Sequence, residues 1–332
     1  MTPSPLPDRN RADEARAEAL EAQLASTQRE LELHRRRAEK NAPGEAGVVR
    51  ALEARAEELR AALLDVRVAW QAVALARHPQ RPKAQDFILA LLTDFTELHG
   101  DRMFRDDPAL MAGIGWFDGR PVAALGPHKG KDTRENLAHN FGMPYPEGYR
   151  KALRVMKLAE KFGYPVICFV DTPAAYPGDA AEERGQAEAI ARNISEMTRL
   201  RVPILVVITG EGGSGGALAI AVGDTVLMLE QAIYTVIPPE GCAAILWRDA
   251  TRTREAASAL RLVAPDLHAL GIVDEIIPEP RGGAHLDPPA VFDAVGAALR
   301  RHLTATTAMP IDELLRRRYN KYRRIGQYEE PA

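Results

Sequence analysis

A chain of 332 residues with 46% hydrophobic content carries enough apolar material for one large α/β core with an appendage, or for two smaller domains. A net charge of −3 leaves no basic excess for holding nucleic acid or an anionic membrane. The two cysteines, Cys168 and Cys242, sit in apolar runs, which excludes a disulfide framework and a Cys-x-x-Cys metal site and points to a reduced, cytoplasmic setting. The N-terminus MTPSPLPDRNRADEARAEALEA lacks the apolar stretch of a signal peptide. The longest nearly apolar run, ALAIAVGDTVLML, is broken by Asp224 and stays short of the ~18–20 residues of a membrane span.

Residues 11–77 are rich in Ala, Glu, Arg and Leu. Leu52, Ala56, Leu59, Leu63, Val66, Trp70 and Val73 alternate four and three apart, which is a heptad seam, and Leu20, Leu24 and Leu31 form a weaker one. Asn41-Ala42-Pro43-Gly44 separates the two seams, so a helical hairpin is expected, either self-contained or serving as a subunit contact. The expected organisation is a helical region over 1–83, an α/β domain over 84–290 and a helical extension over 291–332. Within the α/β domain, AGIGWF and RPVAALG flank Asp118-Gly119 as a hairpin on a two-residue turn. EGYRKALRVMKLAEKFG reads as a helix ending at Gly163, and PVICFV as a buried strand. AEERGQAEAIARNISEMTRL reads as one further helix, PILVVI as the next buried strand, and TVLML, AIYTVI and IVDEII as later strands. Strands alternating with helices predict an α/β fold with largely parallel strands. The extension contains RRRYNKYRR (316–324), read as a solvated helix face over Tyr319 and Tyr322, or as an anion or partner contact.

Residues 210–217, GEGGSGGA, follow a strand and precede a short helix, and they fit three chemistries. Gly212-Gly213-Ser214-Gly215-Gly216 matches the G-x-S-x-G elbow of serine hydrolases, which needs a histidine base such as His268, His285 or His302. Gly210, Gly212 and Gly215 match the dinucleotide pattern G-x-G-x-x-G, with Glu230 as the ribose acid. Thirdly, the glycines can offer bare backbone N–H groups at a helix start to an oxyanion, with Ser214 as the N-cap. A plain tight turn is the structural alternative. Strand PVICFV likewise ends in a loop, DTPAAYPG (171–178), so two loops are expected at one sheet edge, where converging N–H groups suit an enolate or another oxyanion. Asp171 is read as a loop cap rather than an acid, and Arg184 as a partner of Glu182 or Asp171.

Several long stretches, in order and at matching spacing, carry a resemblance: ARHPQRP (76–82), ELHGDRMFRDD (97–107), NFGMPYPEGYRKALR (140–154), DTPAAYPG with EERGQAEAIARN (182–193), and GEGGSGGALAIAVGD with YTVIPPEGCAAILWRD (234–249). Together they resemble the α-subunit family of bacterial acetyl-CoA carboxylase carboxyltransferase, over roughly residues 50–328. The resemblance implies a ClpP/crotonase-like fold of repeated ββα units. It implies an α2β2 heterotetramer with a homologous β subunit bearing a zinc ribbon, and no metal in this chain. It also implies a separate biotin carboxyl carrier protein and a biotin carboxylase in the same complex. The implied reaction moves a carboxyl group from carboxybiotin to acetyl-CoA, giving malonyl-CoA for fatty acid biosynthesis. By motif position, backbone N–H groups of Gly215 and Gly216 would supply one oxyanion donor set, and those of Ala174 and Ala175 the other. Lys129, Lys131, Gly212, Gly213, Glu240 and Gly241 are candidate substrate contacts, the two lysines for CoA phosphates or for the carboxylate being transferred. For Lys129 and Lys131 a solvated loop is the alternative, and for Glu240-Gly241 a structural turn.

Ala174 stands where the family carries glycine, so a left-handed backbone there would be strained. Asp179-Ala180 replaces Ile-Gly. Pro127 removes a backbone donor from the family's GHQKG stretch, here Gly126-Pro-His-Lys-Gly130. The alternatives to this enzyme are a carboxyltransferase for another acyl-CoA, a catalytically silent scaffold of the same fold, and a serine hydrolase.

Overall fold

A computed structural model describes residues 8–39, 44–65 and 69–326. The hairpin break at 41–43 and seam residue Val66 lie outside the described residues. The chain divides into two compact units between Gln71 and Ala72. The first contains helices α1 (Asp8–Glu39) and α2 (Glu45–Asp65). Arg35 near the end of α1 donates to Glu53 at 2.7 Å, and the His34 ring lies against Glu45, so the two helices fold back on each other. Ala56 and Leu59 of the seam are buried. Helix α3 (Ala69–Ala76) crosses the division, and its Val73, in the second unit, is buried.

The second unit begins within α3 and continues with α4 (Ala84–Leu91), β1 (Thr93–Glu97), β2 (Leu110–Phe117) and β3 (Arg120–Pro127). Asp118 and Gly119 join β2 to β3 with φ of 49° and 73°, the pair of positive values that matches a type I′ hairpin turn to strand twist. Next come α5 (Thr133–Ala138), α6 (Pro146–Phe162), β4 (Val166–Thr172), α7 (Asp179–Glu183) and α8 (Gln186–Met197). Then follow β5 (Ile204–Gly213), α9 (Ser214–Leu218), β6 (Thr225–Leu229) and β7 (Ile233–Thr235). The unit closes with α10 (Pro239–Trp247), α11 (Thr253–Leu260), α12 (Ala264–Ala269), β8 (Glu275–Ile277), α13 (Pro288–Thr307) and α14 (Ile311–Arg323).

The strands form one sheet in the order β1-β2-β3-β4-β5-β6-β8, with β7 pairing to β5 beside this path. β1, β2 and β3 are antiparallel, and from β3 to β8 every pairing is parallel. β4 and β5 are buried along their whole length, which is why they read as unbroken apolar runs.

Three expectations about the bounds of elements need correction. The helix read over AEERGQAEAIARNISEMTRL is two helices, divided where Gly185 takes φ 82°. The strand read as PILVVI runs on through Gly213, because Glu211, Gly212 and Gly213 pair with Ile233, Tyr234 and Thr235 of β7. Glu240 and Gly241 belong to the first turn of α10 rather than to a free turn.

The basic C-terminal stretch lies in α14 and binds its own unit. Arg318 is buried. Its Nε donates to Asp224 Oδ1 at 2.8 Å, one terminal nitrogen to the Met197 and Leu200 carbonyls, and the other to Val202 O and Asp224 Oδ2. Tyr322 packs inward with its hydroxyl 2.8 Å from the Gly223 nitrogen, whereas Tyr319 is exposed, against expectation.

Candidate functional site

The C-terminal ends of β4 and β5 lie side by side, with Thr172 opposite Gly212, so the loops that leave them start at the same edge of the sheet. The glycines let these two loops touch. A Cβ on Gly213 would fall on the Pro173 carbonyl, and one on Gly216 would fall on the Ala174–Ala175 peptide. Both obstacles are backbone, which cannot rotate aside as a side chain can. Gly215 is different: its added Cβ would meet only Ile190, at 3.6 Å, an ordinary contact. Packing therefore demands glycine at 213 and 216, while 215 faces room. Ser214 is not the N-cap. Gly213 holds that position, and Ser214 begins α9 with φ 52°. The N–H groups of Ser214, Gly215 and Gly216 fall in the helix's first turn, where no intrahelical acceptor is available.

On the facing loop, the Thr172 hydroxyl donates to Ala174 O at 2.7 Å, and the Ala174 N–H donates back to Thr172 Oγ1 at 3.3 Å. Ala174 is not among the residues with positive φ, so alanine sits there without the strain its replacement of glycine suggested. The Tyr176 N–H donates to Pro144 O at 3.0 Å, and the Gln186 amide donates to the Pro144 and Tyr176 carbonyls, clamping the loop. Pro127 ends β3 opposite Leu110, and the ladder resumes at once with His128 N–H donating to Ala109 O.

Beneath the loops lies a charged network. Lys129 donates to Asp171 Oδ1 at 2.6 Å, and that oxygen also accepts the Glu211 N–H at 3.1 Å. Burial of Asp171 would raise its pKa, but the charges of Lys129 and Lys83, with the hydrogen bonds from Lys129 and Glu211, outweigh it and hold the carboxyl below its ordinary value. Asp171 is thus an ionised strut between the loops rather than an acid. Lys83 is itself buried and donates to His78 O at 3.2 Å. Desolvation, with Lys129 and Arg81 nearby, lowers its pKa. Arg77 binds two carboxylates: Glu211 on β5 at 2.5 Å and Glu240 on α10 at 2.6 Å. Burial works against the charge on Glu240, but Arg77 prevails and keeps its pKa low. Arg81 forms a fully buried pair with Glu279 at 2.6 Å and also donates to Thr209 O.

Of the sequence candidates, Gly212, Gly213, Gly215, Gly216, Ala174 and Ala175 come together at the loop contact, and Lys129 lies beneath it, ion-paired. Lys131 is exposed, 3.3 Å from Asp86, and lines a groove of about 590 Å³ with Lys83, Gln80, Leu89 and Phe292. Glu240 reaches the edge of the site through Arg77. Arg184 pairs with neither Glu182 nor Asp171; it binds the buried Glu147. Arg77 and Lys83 were not singled out, because single cations far from the motif in sequence carry no local signal. Each of the three histidines that could serve as the base of a serine hydrolase has another partner. His268 bonds to Val273 O, His302 pairs with Glu275, and His285 stacks on His78. No group of three or more metal-ligating side chains occurs among the described residues.

His128 stacks on His139 with ring centroids 3.8 Å apart. Burial first, and then repulsion from His139, lower its pKa to about 4. The folded state holds the ring neutral, while the unfolded chain takes up a proton below its ordinary value of 6.5. Stability is therefore expected to fall as pH drops from 6.5 towards 4. His128→Gln should flatten that arm of a melting-temperature profile; an unchanged slope would discard the assignment.

A family model described as acetyl co-enzyme A carboxylase carboxyltransferase-like matches residues 17–326. The acetyl-coenzyme A carboxylase carboxyl transferase subunit alpha of Geobacter metallireducens is 56% identical over 279 residues, covering 84% of this chain and 88% of that one. The protein of the same name from Listeria innocua is 52% identical over 278 residues, covering 84% and 87%. Among solved structures, transcarboxylase 12S superposes with a TM-score of 0.54 at 19% identity, over 68% of this chain and 42% of that one. A Pseudomonas malonate decarboxylase hetero-tetramer in complex with coenzyme A gives 0.54 at 19% identity, over 65% and 86%. At such identities the structures share the fold, which is crotonase-like.

Proposed function

The chain belongs to the acetyl-CoA carboxylase carboxyltransferase alpha-subunit family, and from that premise we propose how its two loops serve the reaction. It is a carboxyltransferase subunit, acting with a β subunit to form malonyl-CoA from acetyl-CoA. In our reading the complex is α2β2, the β subunit carries the zinc ribbon, and the setting is cytoplasmic. A biotin carboxyl carrier protein loaded by a biotin carboxylase delivers the carboxyl group. No described helix is long and apolar enough to cross a membrane.

Carboxybiotin, when bound, supplies the carboxyl group and, once relieved of it, a nitrogen basic enough to take the α-proton of acetyl-CoA. The chain's own residues place and stabilise. The N–H groups of Gly215 and Gly216 point from a helix start, where the dipole favours negative charge, and receive a developing oxyanion. Space beside Gly215 admits an oxygen close to the backbone. Ala175 N–H contributes from the opposite loop, and Ala174 N–H does so only in competition with Thr172 Oγ1. Asp171, held ionised by Lys129, ties the loops together and takes no proton. Two donor-bearing loops in backbone contact, with no nucleophile–base pair beside them among the described residues, is the observation that carries this reading.

The test is reverse transfer. This chain is mixed with its cognate β subunit, malonyl-CoA and free biotin, and acetyl-CoA is followed, with each chain alone as control. Activity confined to the mixture is expected, with Ser214→Ala retaining at least about a tenth of it. Loss of all activity in Ser214→Ala would revive the serine hydrolase. A well-formed complex without transfer would favour the silent scaffold, and transfer from another acyl-CoA alone would change the substrate.

A further inference from the structure

Residues 102–105, Arg-Met-Phe-Arg, form a knuckle whose side chains point outward. Met103 is 77% and Phe104 61% exposed, and both arginines are exposed. An exposed apolar tip is normally soft, but this one is rigid. Asp101 Oδ1 accepts the N–H groups of Met103, Phe104 and Arg105, and the Asp101 N–H donates to Arg105 O. Arg154 ties the preceding carbonyls of Leu98, His99 and Gly100.

The knuckle abuts the site. The Tyr145 ring lies tilted against that of Tyr176, with centroids 4.2 Å apart, and Tyr176 directly follows Ala175. Arg105 and Arg184 each place a guanidinium 5.1 Å from the Tyr145 ring centroid, and both also lie over Phe104, at 5.4 and 5.1 Å. Arg184 is neutralised by Glu147. Arg105 has ring faces and, among the described residues, no carboxylate as its side-chain partner. The result is a hydrogen-bonded, exposed, cationic and apolar surface at the rim of the loops. Methionine, aromatic and arginine side chains exposed on a preformed turn are the composition of a protein contact.

Resting on the function proposed above, we propose that this knuckle docks the protein domain that carries biotin, with Arg105 meeting an acidic group on that domain and Met103 and Phe104 its apolar flank. The knuckle adds nothing to transfer itself; it raises the local concentration of the tethered biotin beside the loops. Pre-organisation by Asp101 spares the ordering cost on docking.

The experiment uses the assembled α–β complex with Arg105→Glu and, separately, Phe104→Ser. Reverse transfer is measured with carrier-borne biotin and with free biotin. The expected result is a KM for the carrier that rises ~10-fold in Arg105→Glu and becomes less sensitive to salt, since a rim charge acts mainly on encounter. The KM for malonyl-CoA and the rate with free biotin should stay at wild-type values, and Phe104→Ser should raise the carrier KM without changing its salt dependence. A rise in the malonyl-CoA KM with both biotin forms would overturn the proposal and assign Arg105 to a coenzyme A phosphate. Unchanged carrier KM in both variants would also overturn it. Free-biotin turnover reports separately on the function itself.

Discussion

Replacing Gly213 by alanine is expected to destabilise the protein by about 2–3 kcal/mol and to lower carboxyl transfer at least ~100-fold. The new methyl falls on the Pro173 carbonyl, so the β4 and β5 loops must part, and Gly216 and Ala175 part with them. The informative companion is Gly215→Ala. Its methyl makes only an ordinary contact with Ile190, so the melting temperature should hold within about 1 °C. Its transfer rate should still fall ~10–100-fold, because the methyl occupies space proposed for the substrate oxygen. Calorimetry and the reverse assay on both variants separate packing from chemistry. A fully active Gly215→Ala would remove that position from the site, and a stable, active Gly213→Ala would contradict the loop contact.

Arg318→Met is expected to have the larger effect on stability, about 3–5 kcal/mol, or a drop of ~10 °C in melting temperature. Methionine fills much of the volume but leaves Asp224 without its buried cation and the Met197, Leu200 and Val202 carbonyls without a shared donor. Asp224 would keep only its bond from the Ile204 N–H. Adding Asp224→Asn should recover part of the loss, since the uncompensated charge goes with it. A single variant that melts like wild type would show the network to be dispensable.

The strands of the sheet were legible because burial on both faces leaves an unambiguous apolar run, as in Val166–Val170 and Ile204–Ile208. The Asp118-Gly119 hairpin was legible because only its local backbone decides it. The glycine stretch was legible as a motif but not as geometry. Whether Gly213 is loop or strand depends on β7, twenty residues on, and whether it must be glycine depends on Pro173, forty residues back. Arg77, Lys83 and Arg318 were illegible for the same reason: each is a cation whose role is defined by carboxylates or carbonyls from distant segments. Arg318 was read with its neighbours as a solvated basic face or an anion or partner contact, and only the packing of α14 singles it out.

That packing also sets an order of events during synthesis. The donors that close the carbonyl ends around Met197–Val202 and the charge of Asp224 arrive on α14, 94 residues after Asp224 in the case of the Arg318 bond. A nascent chain can pair β2 with β3 early, but it carries an open carboxylate beside the start of β6 until Arg318 has been made. Truncations ahead of Arg318 should therefore expose the chain to quality control.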